Sequence, residues 1–174
     1  QSRVAMKETT AYLMNQMLKS VVTSGTGGSA NFNGMTIAGK TGTTSDNFDR
    51  YFAGYTPYYA AAVWVGYKDS NERINASVNP AAAVWKLVME PIHAELENKD
   101  FDNKPATGLT TISVCLDSGL SPTEACRADP RGGRTASFTA AAGTGPTESC
   151  TVHKVVAYCT EGHCLAGETC PEAV

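Results

Sequence analysis

The stretch "GMTIAGKTG", Gly34 to Gly42, decides the fold, because it fits two unrelated chemistries at once. Gly34 through Thr41 matches G-x-x-x-x-G-K-S/T, a loop that cradles phosphates. Lys40-Thr41-Gly42 alone matches K-T-G, a tripeptide that acyl-transfer sites carry on a strand. A phosphate loop needs a buried apolar strand before its first glycine and a helix directly after its Lys-Thr. Neither is present. A polar loop, "TSGTGGSANFNG" (23–34), stands before the motif, and "GTTSDN" (42–47) follows it with no apolar helical face. The four residues between the glycines, Met-Thr-Ile-Ala, favour a strand. The stretch therefore reads as a strand that carries Lys40, Thr41 and Gly42 to a cleft.

Working outward, residues 3–22 read as a helix, with Leu13, Met17 and Val21 recurring at i+4 beside Met14, Leu18 and Val22. Strands are expected over 35–44, 50–56 and 58–67, the last two as an antiparallel hairpin around Pro57. Asn79 and Pro80 give an N-cap and a first helical residue for "NPAAAVWKLVMEPIHAELE". Val84, Val88, Ile92 and Leu96 are expected to form its apolar face, with Trp85 and Met89 beside them and a kink at Pro91. Character changes near residue 100. "ENKDFDNKPATG" (97–108) reads as a linker. The tail beyond it holds only short strand-like pieces, "TTISVC" and "VHKVVAYC". The expected architecture is α+β: an antiparallel sheet flanked by helices over residues 1–98, followed by a linker and small cysteine-rich extension over 99–174.

The chain has 174 residues and a formal net charge of −3, which gives no basic footprint for nucleic acid or an anionic membrane. No apolar run approaches the ~20 residues of a spanning helix, so this segment is expected to make no direct membrane contact. The sequence opens at Gln1 within an amphipathic pattern, which suggests part of a longer protein with any export signal or anchor upstream. All six cysteines lie in the tail: Cys115, Cys126, Cys150, Cys159, Cys164 and Cys170. An even number in a short polar segment reads as a disulfide framework in an oxidising compartment. Cys115 and Cys126, separated by a "DSGL" turn, are paired; three pairings of the other four stay open. Cys159, His163, Cys164 and Cys170 offer metal-ligand chemistry, but their spacing fits no standard zinc pattern, so disulfides are favoured and no metal is expected. A Cys–His nucleophile is weaker still, since an acylating thiol must stay reduced.

An acyl-transfer site for a peptide ending in a free carboxylate makes specific demands. Lys40 can supply a cation near that carboxylate and the proton path. The Thr41 hydroxyl can bind the carboxylate. Gly42 leaves room where substrate lies along the strand. The Thr43 amide can serve the oxyanion. Lys40 and Thr43 are thus the expected catalytic residues, and Thr41 and Gly42 the substrate-binding ones. Of the remaining candidates, His93 is expected to be packed or half-exposed. Asp49 and Arg50 are a possible pair beside the cleft, though a solvated turn is the commoner outcome. Tyr51, Phe52, Tyr55, Tyr58, Tyr59, Trp64 and Tyr67 read as sheet packing.

"MLKSVVTSGTGGSA…GMTIAGKTGTTSDNFDRYFAGYTPYYAAAVWVGYKD" resembles the end of the transpeptidase domain of class A penicillin-binding proteins. In that family a V-V-x-x-G-T-G loop precedes the A-G-K-T-G-T-T strand, then come W/Y-F-x-G-Y-T-P and A-x-V-W-V-G-Y. The likeness spans roughly residues 1–95. The tail, with "VCLDSGLSPTEAC" and "ETCP", more loosely resembles the cysteine-bearing extension of some Gram-positive members. The resemblance implies D,D-transpeptidation of peptidoglycan stem peptides through an acyl-serine that β-lactams also form. It implies no cofactor, and a parent anchored at the outer face of the bacterial cytoplasmic membrane. The family's nucleophile lies in S-x-x-K, which this sequence lacks. Ser29-Ala30-Asn31, Ser45-Asp46-Asn47 and Ser77-Val78-Asn79 fit S-x-N but read as turns and caps. The serine and its lysine are therefore expected in a missing N-terminal half. The rival readings are a D,D-carboxypeptidase or β-lactamase on the same fold, and a non-catalytic wall- or protein-binding module.

Overall fold

The computed structural model describes residues 3–69, 72–101, 104–105, 107–167 and 170. Parts of the expected loop 68–78, of the linker 97–108 and of "ETCP" lie outside these. The chain divides into two compact units, Gln1–Ala106 and Thr107–Val174. No helix among the described residues is long and apolar enough to cross a membrane.

The first unit runs α1 (Glu8–Thr23), a 3-10 turn (Gly28–Ala30), β1 (Ala38–Thr43), β2 (Asp49–Tyr55), β3 (Ala60–Gly66) and α2 (Pro80–His93). The three strands form one antiparallel sheet in the order β1-β2-β3. Lys40 pairs with Ala53, Thr41 with Phe52 and Thr43 with Arg50; Phe52 in turn pairs with Val63. Lys40 thus sits within a strand that leads into a turn and a second strand, not before a helix. That geometry excludes the phosphate loop.

Phe52 organises the core. It is fully buried and meets Trp85 edge-on, with ring centroids 5.3 Å apart at 72°. A Cβ on Gly39 would fall 2.5 Å from its ring, and one on Gly54 likewise 2.5 Å. Only glycine at both positions lets the ring lie flat on its neighbouring strand residues. Val22, Ala30, Phe32, Met35, Ile37, Ala81, Ala82 and Met89 complete the cluster.

Helix α2 presents a different face from the one periodicity suggests, whereas α1 keeps the expected side but buries only its end. In α2 the buried residues are Ala81, Ala82, Trp85, Met89 and His93, while Val84, Val88 and Ile92 are exposed. The alanines let the helix approach the sheet closely around the indole, and that excludes the bulkier valine stripe. In α1 only Val22 is buried; Met14 and Met17 are exposed, and Asn15 accepts a 2.6 Å bond from the Tyr55 hydroxyl. Asn79 caps α2 as expected, its Oδ1 accepting from the amides of Ala81 and Ala82 at 3.0 and 3.2 Å. Pro91 lies in the last turn, and the helix ends at His93.

His93 is buried. The Met89 carbonyl lies 2.7 Å from its Nδ1, and Thr56 Oγ1 lies 2.8 Å from Nε2. A carbonyl only accepts, so Nδ1 carries the proton and Thr56 donates to Nε2. Thr56 Oγ1 also accepts from the amides of Tyr58 and Tyr59 at 3.1 Å each. This fastens the β2–β3 connection to the end of α2.

The second unit holds β4 (Leu109–Cys115), a one-turn helix α3 (Glu124–Arg127), β5 (Thr135–Ala141), β6 (Tyr158–Cys159) and β7 (Cys164–Leu165). β4 pairs antiparallel with β5, and β6 with β7. The strand expected over "VHKVVAYC" reduces to its last two residues. Among the described residues of this unit, the buried apolar side chains are Cys115, Cys126 and Cys150 alone.

The inverted face of α2 is testable. Trp85→Ala should cost about 3–5 kcal/mol in urea unfolding, whereas Val84→Ala and Val88→Ala should each stay within about 0.5 kcal/mol.

Candidate functional site

β1 is an edge strand among the described residues. The Thr44 amide donates to the Asp49 carbonyl at 3.2 Å. Antiparallel ladders alternate, so the amides of Thr41 and Thr43 and the carbonyl of Thr41 point away from β2. The Lys40 side chain follows that edge: its ammonium donates to the Thr41 carbonyl at 2.9 Å and approaches Thr41 Oγ1 at 3.4 Å. One free edge therefore gathers an ammonium, a hydroxyl and an unladdered amide.

The loop after α1 closes on this edge. The α1 carbonyl of Val21 accepts from the Gly27 amide at 2.9 Å, which turns the chain so that Thr26 Oγ1 lies 2.9 Å from Thr41 Oγ1. A cleft of about 410 Å³ is lined by Thr26, Ser29, Thr41, Thr43, Arg50 and Asn79, with neighbouring small residues. Arg50 does not pair with Asp49. Its Nη1 donates to Thr43 Oγ1 at 3.0 Å, its Nε is buried without a partner, and Asp49 instead accepts from the Trp64 indole at 2.8 Å. Gly42 lies beside Tyr51, whose Cβ a side chain there would approach to 3.1 Å. A side chain at this position would crowd Tyr51 on the neighbouring strand.

The three S-x-N matches fall in turns and caps. Ser29 is in the 3-10 turn, Asn47 has a φ of 62° in the β1–β2 turn, and Asn79 is the α2 cap. Arg50 lies at the cleft as expected, though its partner is Thr43 rather than Asp49; Thr26 is a cleft residue for which the G-T-G spacing just after α1 is the sequence signal.

The cysteines are arranged differently from expectation. None of the six is bonded to another, and Cys115 and Cys126 are not joined. Cys115, Cys126, Cys150 and His153 instead converge, their ligand atoms all within 4.8 Å of one another. Cys115 Sγ and Cys150 Sγ lie 3.6 Å apart, and each is 3.4 Å from His153 Nδ1. On the other side of the ring, Nε2 is 3.0 Å from a carboxylate oxygen of Asp117 and 3.0 Å from one of Asp129. Arg131 bridges these carboxylates at 2.9 and 2.8 Å, and Arg134 holds Asp117 at 2.7 Å. The guanidinium of Arg134, with Arg131, holds the Asp117 carboxyl down at about 2. Hydrogen bonding from the Ser118 side chain, then from the His153 amide, lowers the Cys150 thiol to about 5. Burial pushes Cys115 up, but Ser118 and the amides of Asp117 and Ser118 outweigh it and the net shift is downward. Cys159 and Cys164 face each other across β6 and β7. His163 approaches the Tyr158 hydroxyl at 3.4 Å. The cluster weighed from sequence around His163 is therefore not the one that assembles. Cys150-x-x-His153 carried the missed signal.

The chain has relatives of known family. Residues 1–90 match the model of the penicillin binding protein transpeptidase domain, and residues 105–155 match that of the penicillin-binding protein 1A C-terminal domain. The chain belongs to the penicillin-binding protein transpeptidase family. It is 39% identical over 143 residues to penicillin-binding protein 1A of Clostridium perfringens, covering 82% of this chain and 17% of that protein. Penicillin-binding protein 1A of Clostridium botulinum is 40% identical over 144 residues, with the same coverage. Penicillin-binding protein 4 of Bacillus subtilis is 43% identical over 79 residues, covering 44% of the chain and 12% of the relative. The crystal structure of penicillin-binding protein 1A from Haemophilus influenzae shares the fold, with a TM-score of 0.58 at 20% identity over 83% of this chain and 22% of that one. The chain thus spans less than a fifth of the length of the curated proteins it matches.

Asn79 joins the cleft wall to the sheet, since its Nδ2 also donates to the Tyr51 carbonyl at 3.2 Å. Asn79→Ala should cost about 1 kcal/mol through the lost cap, and Asn79→Asp should recover most of it in the same unfolding assay.

Proposed function

We propose that this chain is the K-T-G part of a serine-type D,D-transpeptidase that cross-links peptidoglycan stem peptides. The observation that carries the reading is the free edge of β1, where Thr41 and Thr43 line a cleft and the Lys40 ammonium reaches the Thr41 carbonyl and hydroxyl. In this reading a serine outside these 174 residues attacks the peptide carbonyl before a terminal D-Ala. Electron density moves onto the carbonyl oxygen, which the Thr43 amide stabilises. The tetrahedral intermediate then expels D-Ala, whose amine takes the proton that the serine gave up, and leaves an acyl-serine; an amine of a neighbouring stem peptide attacks that ester, takes the acyl group and returns a proton to the serine oxygen. Thr41 Oγ1 binds the substrate carboxylate and Lys40 supplies positive charge to it and to the proton path. Gly42 keeps the strand slim where substrate lies along it. β-Lactams would acylate the same serine. The site of action would be the outer face of the cytoplasmic membrane, with anchoring by a segment outside this chain. The family relationship supports the fold and the reaction class; the division of roles rests on the edge geometry.

The test uses the full-length protein and fluorescent penicillin. Lys40→Ala should slow acylation by about 10²-fold or more, as expected for removal of a preorganised charge. Thr41→Val should lower it more modestly. The 174-residue chain alone should take up no label. Unchanged acylation in the Lys40 variant would overturn the role given to that residue, and label mapped to a serine within this chain would overturn the placement of the nucleophile.

A further inference from the structure

We propose that the second unit holds a structural zinc ion, bound by the thiolates of Cys115, Cys126 and Cys150 and by Nδ1 of His153.

Geometry is the first support. Ligands about 2.3 Å from a tetrahedral zinc lie roughly 3.7 Å apart along the tetrahedron's edges, a little less between sulfur and nitrogen. The observed separations are 3.6 Å from Cys115 to Cys150 and 3.4 Å from each sulfur to His153 Nδ1. A disulfide needs about 2.05 Å. It would also join only two of the three thiols and leave the third buried and unused.

The histidine supplies a second, independent support. Its Nε2 lies 3.0 Å from both Asp117 and Asp129. Carboxylates accept, so Nε2 carries a proton, and Nδ1 is the nitrogen that faces the Cys115 and Cys150 sulfurs and is placed to bind a metal. Zinc-binding histidines typically donate their other nitrogen to a carboxylate, which fixes the tautomer and ring plane. The side chains of His153 and Asp129 are only 8% and 7% exposed, and Arg131 and Arg134 balance the two carboxylates.

The backbone sets each sulfur separately. Cys115 ends β4 and exchanges bonds with the turn that follows, its amide donating to Leu120 and its carbonyl accepting from Gly119, both at 2.8 Å. Cys126 sits in α3, where its carbonyl accepts from Arg134 at 2.8 Å and its sulfur from the Thr123 amide at 3.3 Å. The Cys150 amide donates to Ser121 at 2.8 Å. N–H groups aimed at sulfur favour thiolate, the form that binds metal. On binding, each thiol that is still protonated releases its proton to solvent, so two electrons of each S–Zn bond come from sulfur and nothing is oxidised or reduced.

The site is closed, with four protein ligands and all three sulfurs buried, which is the arrangement of structural rather than catalytic zinc. It also meets a need. The three cysteines are the only buried apolar side chains in this unit among the described residues, so a small unit without an aliphatic core gains its centre from a metal. Three thiolates and one imidazole favour zinc over calcium or magnesium, which take oxygen ligands.

The experiment measures metal in the 174-residue chain, purified without chelator or reductant from zinc-supplemented culture. About one zinc per chain is expected by elemental analysis. Cobalt(II) added to the chelator-stripped chain should give the d–d bands of a tetrahedral site and thiolate-to-cobalt charge transfer, a readout that does not depend on any variant folding. Cys126→Ser and His153→Ala should each remove the metal. A triple variant, Cys159→Ser, Cys164→Ser and Cys170→Ser, should keep both the zinc and the cobalt spectrum. Asp129→Ala should weaken zinc by about 10–100-fold in chelator competition. The proposal is overturned by a Cys115–Cys126, Cys115–Cys150 or Cys126–Cys150 disulfide in non-reducing peptide mapping. It is equally overturned by a chain without zinc whose cobalt complex lacks tetrahedral bands, or by zinc that the triple variant loses.

Discussion

The Phe52 ring lies on two glycines, Gly39 of the strand on one side and Gly54 of its own strand, and its edge meets Trp85. A Cβ on Gly27, in the loop after α1, would come within 3.3 Å of the same ring. One aromatic side chain therefore touches four separate segments: the loop with Thr26, the strand with Lys40, the central strand and α2. Its position fixes the register of Lys40-Thr41-Gly42, because Thr41 is the residue opposite Phe52. A one-residue slip would exchange the two faces of β1 and turn the Thr43 amide into the ladder. The free edge then would carry different groups, so the chemistry proposed for the strand depends on core packing on its other side.

The two units solve the same entropic problem by different means. The first buries an aromatic and aliphatic cluster between sheet and helix, where Trp85 also donates its indole N–H to the Ala61 carbonyl at 3.1 Å. The buried polar pair Thr56 and His93 is satisfied through the Thr56–His93–Met89 chain. The second has two antiparallel strand pairs and, among its described residues, no comparable cluster. Its centre is three sulfurs, one imidazole and a shell of two carboxylates and two guanidiniums. Unpaired thiols would contribute little burial there, whereas sulfur–metal bonds would bind three distant parts of the chain into one unit.

The parts of the fold that rest on local signals were legible. Asn79-Pro80 reads as a helix start because cap and fixed φ are properties of those two residues alone. The three strands follow from short β-prone runs broken by turns, and Lys40 was placed on a strand because no helix could follow it. What depends on tertiary contact was misread. Val84, Val88 and Ile92 form a regular apolar stripe, yet the helix packs with Ala81, Ala82, Trp85 and Met89, since small residues permit close approach and one indole fills the space. For the cysteines, proximity in sequence favoured Cys115 with Cys126 and drew attention to His163, which lies among three cysteines. Chain spacing cannot reveal that Cys150-x-x-His153 folds back onto β4 and α3.

The central claim is that the edge of β1 forms one wall of an acyl-transfer site. A crystal structure of the full-length protein acylated by a β-lactam tests it directly. The account predicts the acyl carbonyl oxygen within hydrogen-bond distance of the Thr43 amide, and the β-lactam carboxylate on Thr41 Oγ1 beside the Lys40 ammonium. An adduct whose carbonyl and carboxylate both lie away from β1, or a Thr43 amide engaged in the sheet ladder, would contradict it.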